Sequence, residues 1–227
     1  MKKILHLFRS SQFTEGYIKC INKYNLSYYH YFWVYGFNFD ISNYCSEKNV
    51  RFISNIYIEL RKPKVEYYFE NFDIIIYHRV FENDVIRFLY NNKTLLRKTF
   101  LMFLGGDIPL SGTEEQKEMK WTVVNQAAGI ITIIESDYKK IVENYHPIGI
   151  AFCIHYLDEK KWYLMRTVLD PKSKKHNGPI NILIGNSATE TNEHILVLKE
   201  LQRFRHEDIN IFIPLAYGDK RYAAEVM

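Results

Sequence analysis

The sequence predicts an α/β fold: a parallel sheet with helices on both faces, followed by the beginning of a second, similar unit. Three observations carry this. Short apolar runs recur along the whole chain, at residues 4–8, 30–36, 73–78, 99–104, 130–134, 180–184 and 209–213. Segments with helix-start signals lie between them. A polar, basic, breaker-rich stretch at 170–179 interrupts the alternation, which then restarts. Strands that alternate with helices at this spacing pair in parallel and bury both sheet faces, so each strand reads as an almost continuous apolar run.

Residues 4–8 form the first strand. Thr14 is placed to cap the helix that follows, with Phe13 and Ile18 as a hydrophobic staple and Tyr17, Ile21 and Tyr24 on its apolar face. Residues 30–36 and 50–53 read as the next strands. In 73–78, three consecutive isoleucines favour a strand over a helix. Asn83 or Asp84 can cap the helix carrying Ile86, Leu89 and Tyr90. After the strand at 99–104, Thr113 and Gln116 form a capping box for a helix reaching about Ala128, with Gly129 as its stop. The strand at 130–134 leads to a helix capped by Ser136 or Asp137 and ended before Pro147. The second unit reads as strand 180–184, turn 185–189, helix 191–204, strand 209–213 and the start of another helix. The implied organisation is a Rossmann-like domain at 1–170, a linker at 171–179 and an incomplete second Rossmann-like domain at 180–227.

Bulk numbers narrow the function. With 47% hydrophobic residues among 227, the chain can bury a core. A net charge of +4 is too mild for a nucleic-acid partner. Cys20, Cys45 and Cys153 show no disulfide or metal spacing, which fits free thiols in a reducing compartment. The sequence shows no signal-peptide core and no run of about 20 apolar residues that would span a bilayer. The expected location is cytoplasmic, with any membrane contact peripheral. The basic clusters 61–64 and 172–175 could touch an anionic lipid surface, but both read better as solvated loop charge.

Ligands of such sheets bind beyond the carboxyl ends of the strands. The informative loops are therefore 9–15, 78–83 and 105–112. Asp107 follows a strand and two glycines, a suitable place for a general base, though a turn Asp before Pro109 is a common structural element. His78 ends a strand and is either a base or a hydrogen-bonded sheet-edge residue. Glu15 sits where it complements a helix dipole. The turn Gly185, Asn186, Ser187, Ala188 and Thr189 runs from a strand toward a helix. Free amides at a helix start, with hydroxyls of Ser187, Thr189 and Thr191, suit a diphosphate; a plain helix cap with Thr191 at the N-cap uses the same residues.

The block Gly185, Asn186, Ser187 followed by Asn192, Glu193, His194 and Ile195 resembles the second domain of glycosyltransferase family 56, the N-acetylfucosamine (4-alpha-L-fucosyl) transferases. Residues 211–218, ending in Tyr217 and Gly218, match that family's next strand and loop. His78 with Phe81, and Gly105 or Gly106 with Asp107, match its first-domain signatures, although the family often has Gly where this chain has Arg79. The resemblance implies a GT-B architecture of two Rossmann domains. It implies transfer of an amino-deoxy-fucose unit from a dTDP-sugar to a polyprenyl-diphosphate-linked saccharide in surface polysaccharide synthesis. Asp107 and His78 are then the catalytic candidates. Gly185, Asn186, Ser187, Thr189, Thr191, Asn192 and His194 hold the donor diphosphate, with His194 open between facing the ligand and packing on the sheet. Tyr217, Gly218 and Glu15 complete the pocket. No cofactor or metal is implied, and no Asp-x-Asp is present to hold magnesium at a diphosphate.

A second domain comparable with the first needs about 100–150 residues, so the expectation is a C-terminally truncated or split chain, weakly active or inactive unless another chain supplies the rest. Two other readings follow from the same pattern. One is a non-catalytic module that keeps a nucleotide-sugar-binding fold. The other is a nicotinamide enzyme, which the glycine-free loop Arg9, Ser10, Ser11, Gln12 disfavours.

Overall fold

The computed structural model describes residues 1–11, 14–24, 27–36, 48–80, 82–153, 178–185, 187–215 and 218–227. Phe13, Phe81, Asn186, Tyr217 and most of the expected linker lie outside the described residues. The chain divides into two compact units, Met1–Val168 and Leu169–Met227.

In the first unit, seven strands form one sheet: β1 (Lys3–Arg9), β2 (Tyr29–Tyr35), β3 (Val50–Ile53), β4 (Ile74–His78), β5 (Thr99–Met102), β6 (Gly129–Thr132) and β7 (Ile150–Cys153). The order is β3-β2-β1-β4-β5-β6-β7, and every pairing is parallel. Helices α1 (Thr14–Tyr24), α2 (Ile56–Leu60), α3 (Val65–Glu70), α4 (Asn83–Asn91), α5 (Lys93–Leu96), α6 (Glu114–Gln126) and α7 (Glu135–Asn144) follow their strands.

Strand alternation splits β1 between two cores. Leu5 and Leu7 point to the larger one with Trp33, Tyr35, Ile75, Tyr77, Val85, Leu89, Leu101, Val123 and Ile130. Phe8 joins Phe32, Val34 and Ile18 in the smaller one, packed by Tyr17 and Ile21 of α1. Both faces of β1 are buried, which is why its residues 4–8 are apolar except for His6.

Several local expectations hold. The Thr113–Gln116 capping box forms, each side chain meeting the other's backbone N–H. Other helix starts differ. α4 begins after Glu82 and α7 after Ile134, neither with a side-chain cap bond. Thr14 is the first residue of α1, and its Oγ1 accepts from the Ser11 N–H at 3.0 Å. Gly129 is not a helix stop: α6 ends at Gln126, and Gly129 opens β6. A Cβ there would lie 2.7 Å from the Phe100 ring and 2.8 Å from the Ile150 carbonyl oxygen, so Gly129 permits close strand packing.

The second unit contains β8 (Ile180–Leu183) and β9 (Ile209–Phe212), paired in parallel. A short 3₁₀ turn spans Glu190–Asn192. Helix α8 (His194–Leu201) follows, then a second such turn (Gln202–Phe204), and α9 (Lys220–Val226) comes after β9. Helix α8 starts three residues later than the sequence suggests. Glu193 takes a left-handed conformation (φ 51°) between turn and helix, so Thr191 is an exposed turn residue rather than a cap.

Candidate functional site

The strand order reverses direction between β1 and β4, because β2 lies on one side of β1 while β4 and β5 continue on the other. Connections from these two strands diverge at their carboxyl ends and leave a crevice, the usual ligand position in such sheets. A cleft of about 260 Å³ opens there, lined by Phe8, Arg9, Ser11, His78, Arg79, Leu104 and Ile133. It is an apolar bowl with two guanidinium groups and one imidazole at its border. Arg9 is ion-paired with Glu82 at 2.7 Å. Arg79 has φ 62°, a left-handed conformation that disfavours a side chain. This explains why glycine suits position 79. The Arg79 N–H donates to the Met102 carbonyl at 2.9 Å, which holds the strained residue at the cleft border.

His78 is 1% exposed and its ring stacks on Phe8 with centroids 3.7 Å apart. Its Nε2 lies 3.1 Å from His6 Nδ1, and His6 Nε2 lies 2.9 Å from His30 Nδ1. Three strands therefore line up three imidazoles on the α1 face of the sheet. Burial holds His6 well below the usual histidine range, helped by the proximity of His78 and His30. Burial also depresses His78 strongly and His30 as well. All three rings are neutral at pH 7, the form in which an imidazole accepts a proton.

Asp107 has a different role from the one its position suggests. It is fully buried; Oδ1 accepts from the Leu104 N–H and Oδ2 from the Val80 N–H, both at 2.8 Å. Burial raises its carboxyl, while the Leu104, Val80 and Asp107 backbone N–H groups and Lys120 pull it back. Lys120 Nζ donates to the Asp107 and Pro109 carbonyls, and burial pushes its ammonium down to about 8. Both carboxylate oxygens are committed to backbone amides and no part of the residue is exposed. Asp107 thus ties the β4 loop to the β5 loop. Glu15 pairs with Lys19 on the surface of α1, in the first turn where its charge complements the dipole.

In the second unit, β8 leads into an elbow. Gly185 has φ 61°, and an added Cβ would lie 2.5 Å from His194 Nε2. Asn192 Nδ2 donates to the Ser187 carbonyl (2.8 Å) and to its Oγ (3.0 Å), and Ser187 Oγ is 3.2 Å from Thr189 Oγ1. Thr191 Oγ1 donates to Thr189 Oγ1 at 3.4 Å. The hydroxyls therefore link to one another across the turn. His194 is fully buried, and neither ring nitrogen has a hydrogen-bond partner among the described residues. Its backbone N–H donates to the Tyr222 hydroxyl at 3.2 Å. Gly218 (φ 115°) pairs with Ala188, whose carbonyl oxygen would be 2.4 Å from a Cβ at that position. Gly218 serves close backbone approach at the elbow.

Residues 161–227 match the model of the 4-alpha-L-fucosyltransferase family, glycosyl transferase group 56. Over that stretch the chain is similar to family-56 glycosyltransferases. The family match covers the elbow and everything after it, while the cleft at β1 and β4 lies outside the matched residues. No curated protein matches the chain. Among solved structures, it is similar to UDP-N-acetylglucosamine 2-epimerase from Rickettsia bellii (12% identity, TM-score 0.55, all of this chain and 64% of that one). It is also similar to the S. aureus MnaA–UDP structure (11% identity, TM-score 0.53, 100% and 64%). The Neisseria meningitidis UDP-GlcNAc 2-epimerase bound to UDP-GlcNAc shares the fold as well (10%, TM-score 0.53, 99% and 68%). These likenesses show a GT-B-like Rossmann fold. The chain spans 64% of the length of the first of these structures.

His6, His30 and Arg9 were not legible as site residues. Each lies in or beside an apolar strand run, and only the strand order puts them next to His78. Among the described residues no group of three or more potential metal ligands of the His, Cys, Asp and Glu types is assembled for a metal ion.

Proposed function

We propose that the chain is a glycosyltransferase of the fucosyltransferase type, moving an amino-deoxy-fucose unit from a dTDP-sugar to a polyprenyl-diphosphate-linked saccharide for surface polysaccharide synthesis. The observation that carries it is the family match over 161–227, on an elbow whose Gly185 is solvent-exposed and packs closely against the His194 ring. Two fold relatives, one bound to UDP and the other to UDP-GlcNAc, support a nucleotide-sugar as the ligand class.

In this reading residues 1–170 form the acceptor domain, 171–179 the linker and 180–227 the nucleotide-sugar-binding part. Amides of the Gly185 elbow and the start of α8 hold the donor diphosphate, with the Ser187, Thr189 and Thr191 hydroxyls, Asn186 and Asn192. His194 supplies an imidazole with unmet hydrogen-bonding capacity beside Gly185. Leaving-group charge is met by these donors, without a step assigned to a metal. His78, neutral and bordering the cleft, removes the proton of the attacking hydroxyl. Arg9 and Arg79 set the cleft's preference for an anionic acceptor. The site of action is the cytoplasmic face of the membrane, reached by peripheral contact; no described helix is long and apolar enough to cross one.

The test is calorimetric titration with dTDP, followed by a radiolabelled transfer assay. Saturable dTDP binding that Gly185→Val abolishes is expected, because the new side chain collides with His194. Absence of binding to the wild-type chain removes the reading. Binding without transfer selects the second reading, a nucleotide-sugar-binding module, which the same elbow supports.

A further inference from the structure

The three buried imidazoles exceed what one general base requires. His78 stands at the carboxyl end of β4, His6 in the middle of β1 and His30 near the amino end of β2. The row therefore runs from the cleft toward the opposite edge of the sheet. Both links have hydrogen-bond length, 3.1 and 2.9 Å. His6 is clamped in place by Phe32, with ring centroids 4.7 Å apart, and by the edge of Tyr17 at 5.6 Å. At the far end His30 is 8% exposed, and its Nε2 is itself buried, with no hydrogen-bond partner among the described residues. Tyr28, itself 43% exposed, approaches that ring edge-on.

We propose that His6 and His30 form a proton relay behind His78, carrying to the far end of the row the proton that His78 takes from an attacking hydroxyl in the cleft. This rests on the transferase reading above.

The geometry fixes the order of transfers. In the receptive state His78 Nε2–H donates to His6 Nδ1, His6 Nε2–H donates to His30 Nδ1, and His30 carries its proton on Nε2. As the acceptor oxygen bonds to the sugar carbon, the bond from that carbon to the diphosphate oxygen breaks and its electron pair leaves with the diphosphate. The hydroxyl proton goes to the His78 ring. His78 passes its Nε2 proton to His6, His6 passes its own to His30, and His30 gives its Nε2 proton to a water molecule that must enter beside Tyr28, since this nitrogen is buried and unpartnered among the described residues. Every ring ends neutral, with its tautomer reversed. Loss of a proton from His78 to water in the emptied cleft, matched by uptake at His30, resets the row. No buried imidazolium persists, which is what this apolar setting requires. Other titratable groups near the row are Tyr17 of α1, with Cys20 close to it, Tyr28 before β2, and Arg9 and Arg79 at the cleft. Burial holds the Tyr17 phenol raised, so it stays protonated throughout.

The experiment is an ¹⁵N-histidine NMR titration of the full chain between pH 4 and 8, with wild type and His6→Phe. Phenylalanine keeps a ring between Phe8 and Phe32 but cannot pass a proton. In wild type, the three rings should share titration midpoints, as coupled sites do, and couplings should cross both N···N contacts. In His6→Phe, His78 and His30 should titrate independently. Three independent curves in wild type, with no coupling across the contacts, overturn the relay even if the variant fails to fold. In the transfer assay, His6→Phe should lower kcat about 10²-fold with KM unchanged and displace the acid limb of the pH profile. A purely structural His6 would leave that limb in place. Coupled rings in a protein that transfers no sugar would remove the transferase reading, and the relay's role in it, and leave only the coupled row of imidazoles. Independent rings in an active transferase would do the reverse.

Discussion

Lowering the pH from 7.5 to 5.5 challenges the first unit at one place, the row His78, His6 and His30. In the folded chain burial depresses all three below the usual value of 6.5. A group depressed on folding adds stability above its unfolded value and loses it as pH falls, because the unfolded chain takes up protons that the folded chain refuses. Below pH 6.5 each such histidine costs up to about 1.4 kcal/mol per pH unit while it stays neutral in the fold. Three together reach about 4 kcal/mol per unit, a large share of the roughly 5–15 kcal/mol that holds a domain. Asp107 acts with the opposite sign. Its raised carboxyl favours the folded state at low pH, and that contribution is lost as pH rises through its folded value. One group offsets only part of three. Urea midpoints followed by fluorescence of the buried Trp33 should fall only slightly from pH 8 to 7, where Lys120 takes up its proton, and steeply below 6.5. His6→Phe should remove about a third of that slope. A midpoint that does not move between pH 7.5 and 5.5 refutes the neutral buried row.

Further outcomes follow from single contacts. Asp107→Asn sets an NH₂ against the Leu104 or Val80 N–H and should cost about 1–3 kcal/mol in urea unfolding. Arg79→Gly relieves a left-handed side chain and should gain up to about 1 kcal/mol, while weakening pyrophosphate binding in the cleft measured by calorimetry. Gly129→Ala drives a methyl into the Phe100 ring and the Ile150 carbonyl and should destabilise by about 1–3 kcal/mol, read as a lower Tm.

Local order was written in the residues. The three isoleucines of β4, the apolar run of β1 and the Thr113–Gln116 box each act within a few positions, so their elements formed where the sequence put them. The family-like block starting at Gly185 was legible for the same reason. What tertiary structure decided depends on partners distant in sequence. Gly129 reads in the sequence as a helix stop, yet its role is set by Phe100 and Ile150 on neighbouring strands. Asp107 looks like an exposed turn carboxylate until the Val80 amide, 27 residues away, closes on it. His6, His30 and His78 are 24 and 72 positions apart, and they meet because β1 is the strand at which the sheet reverses its order. Periodicity records which residues are buried. Only the packing of one strand against another determines what they are buried beside.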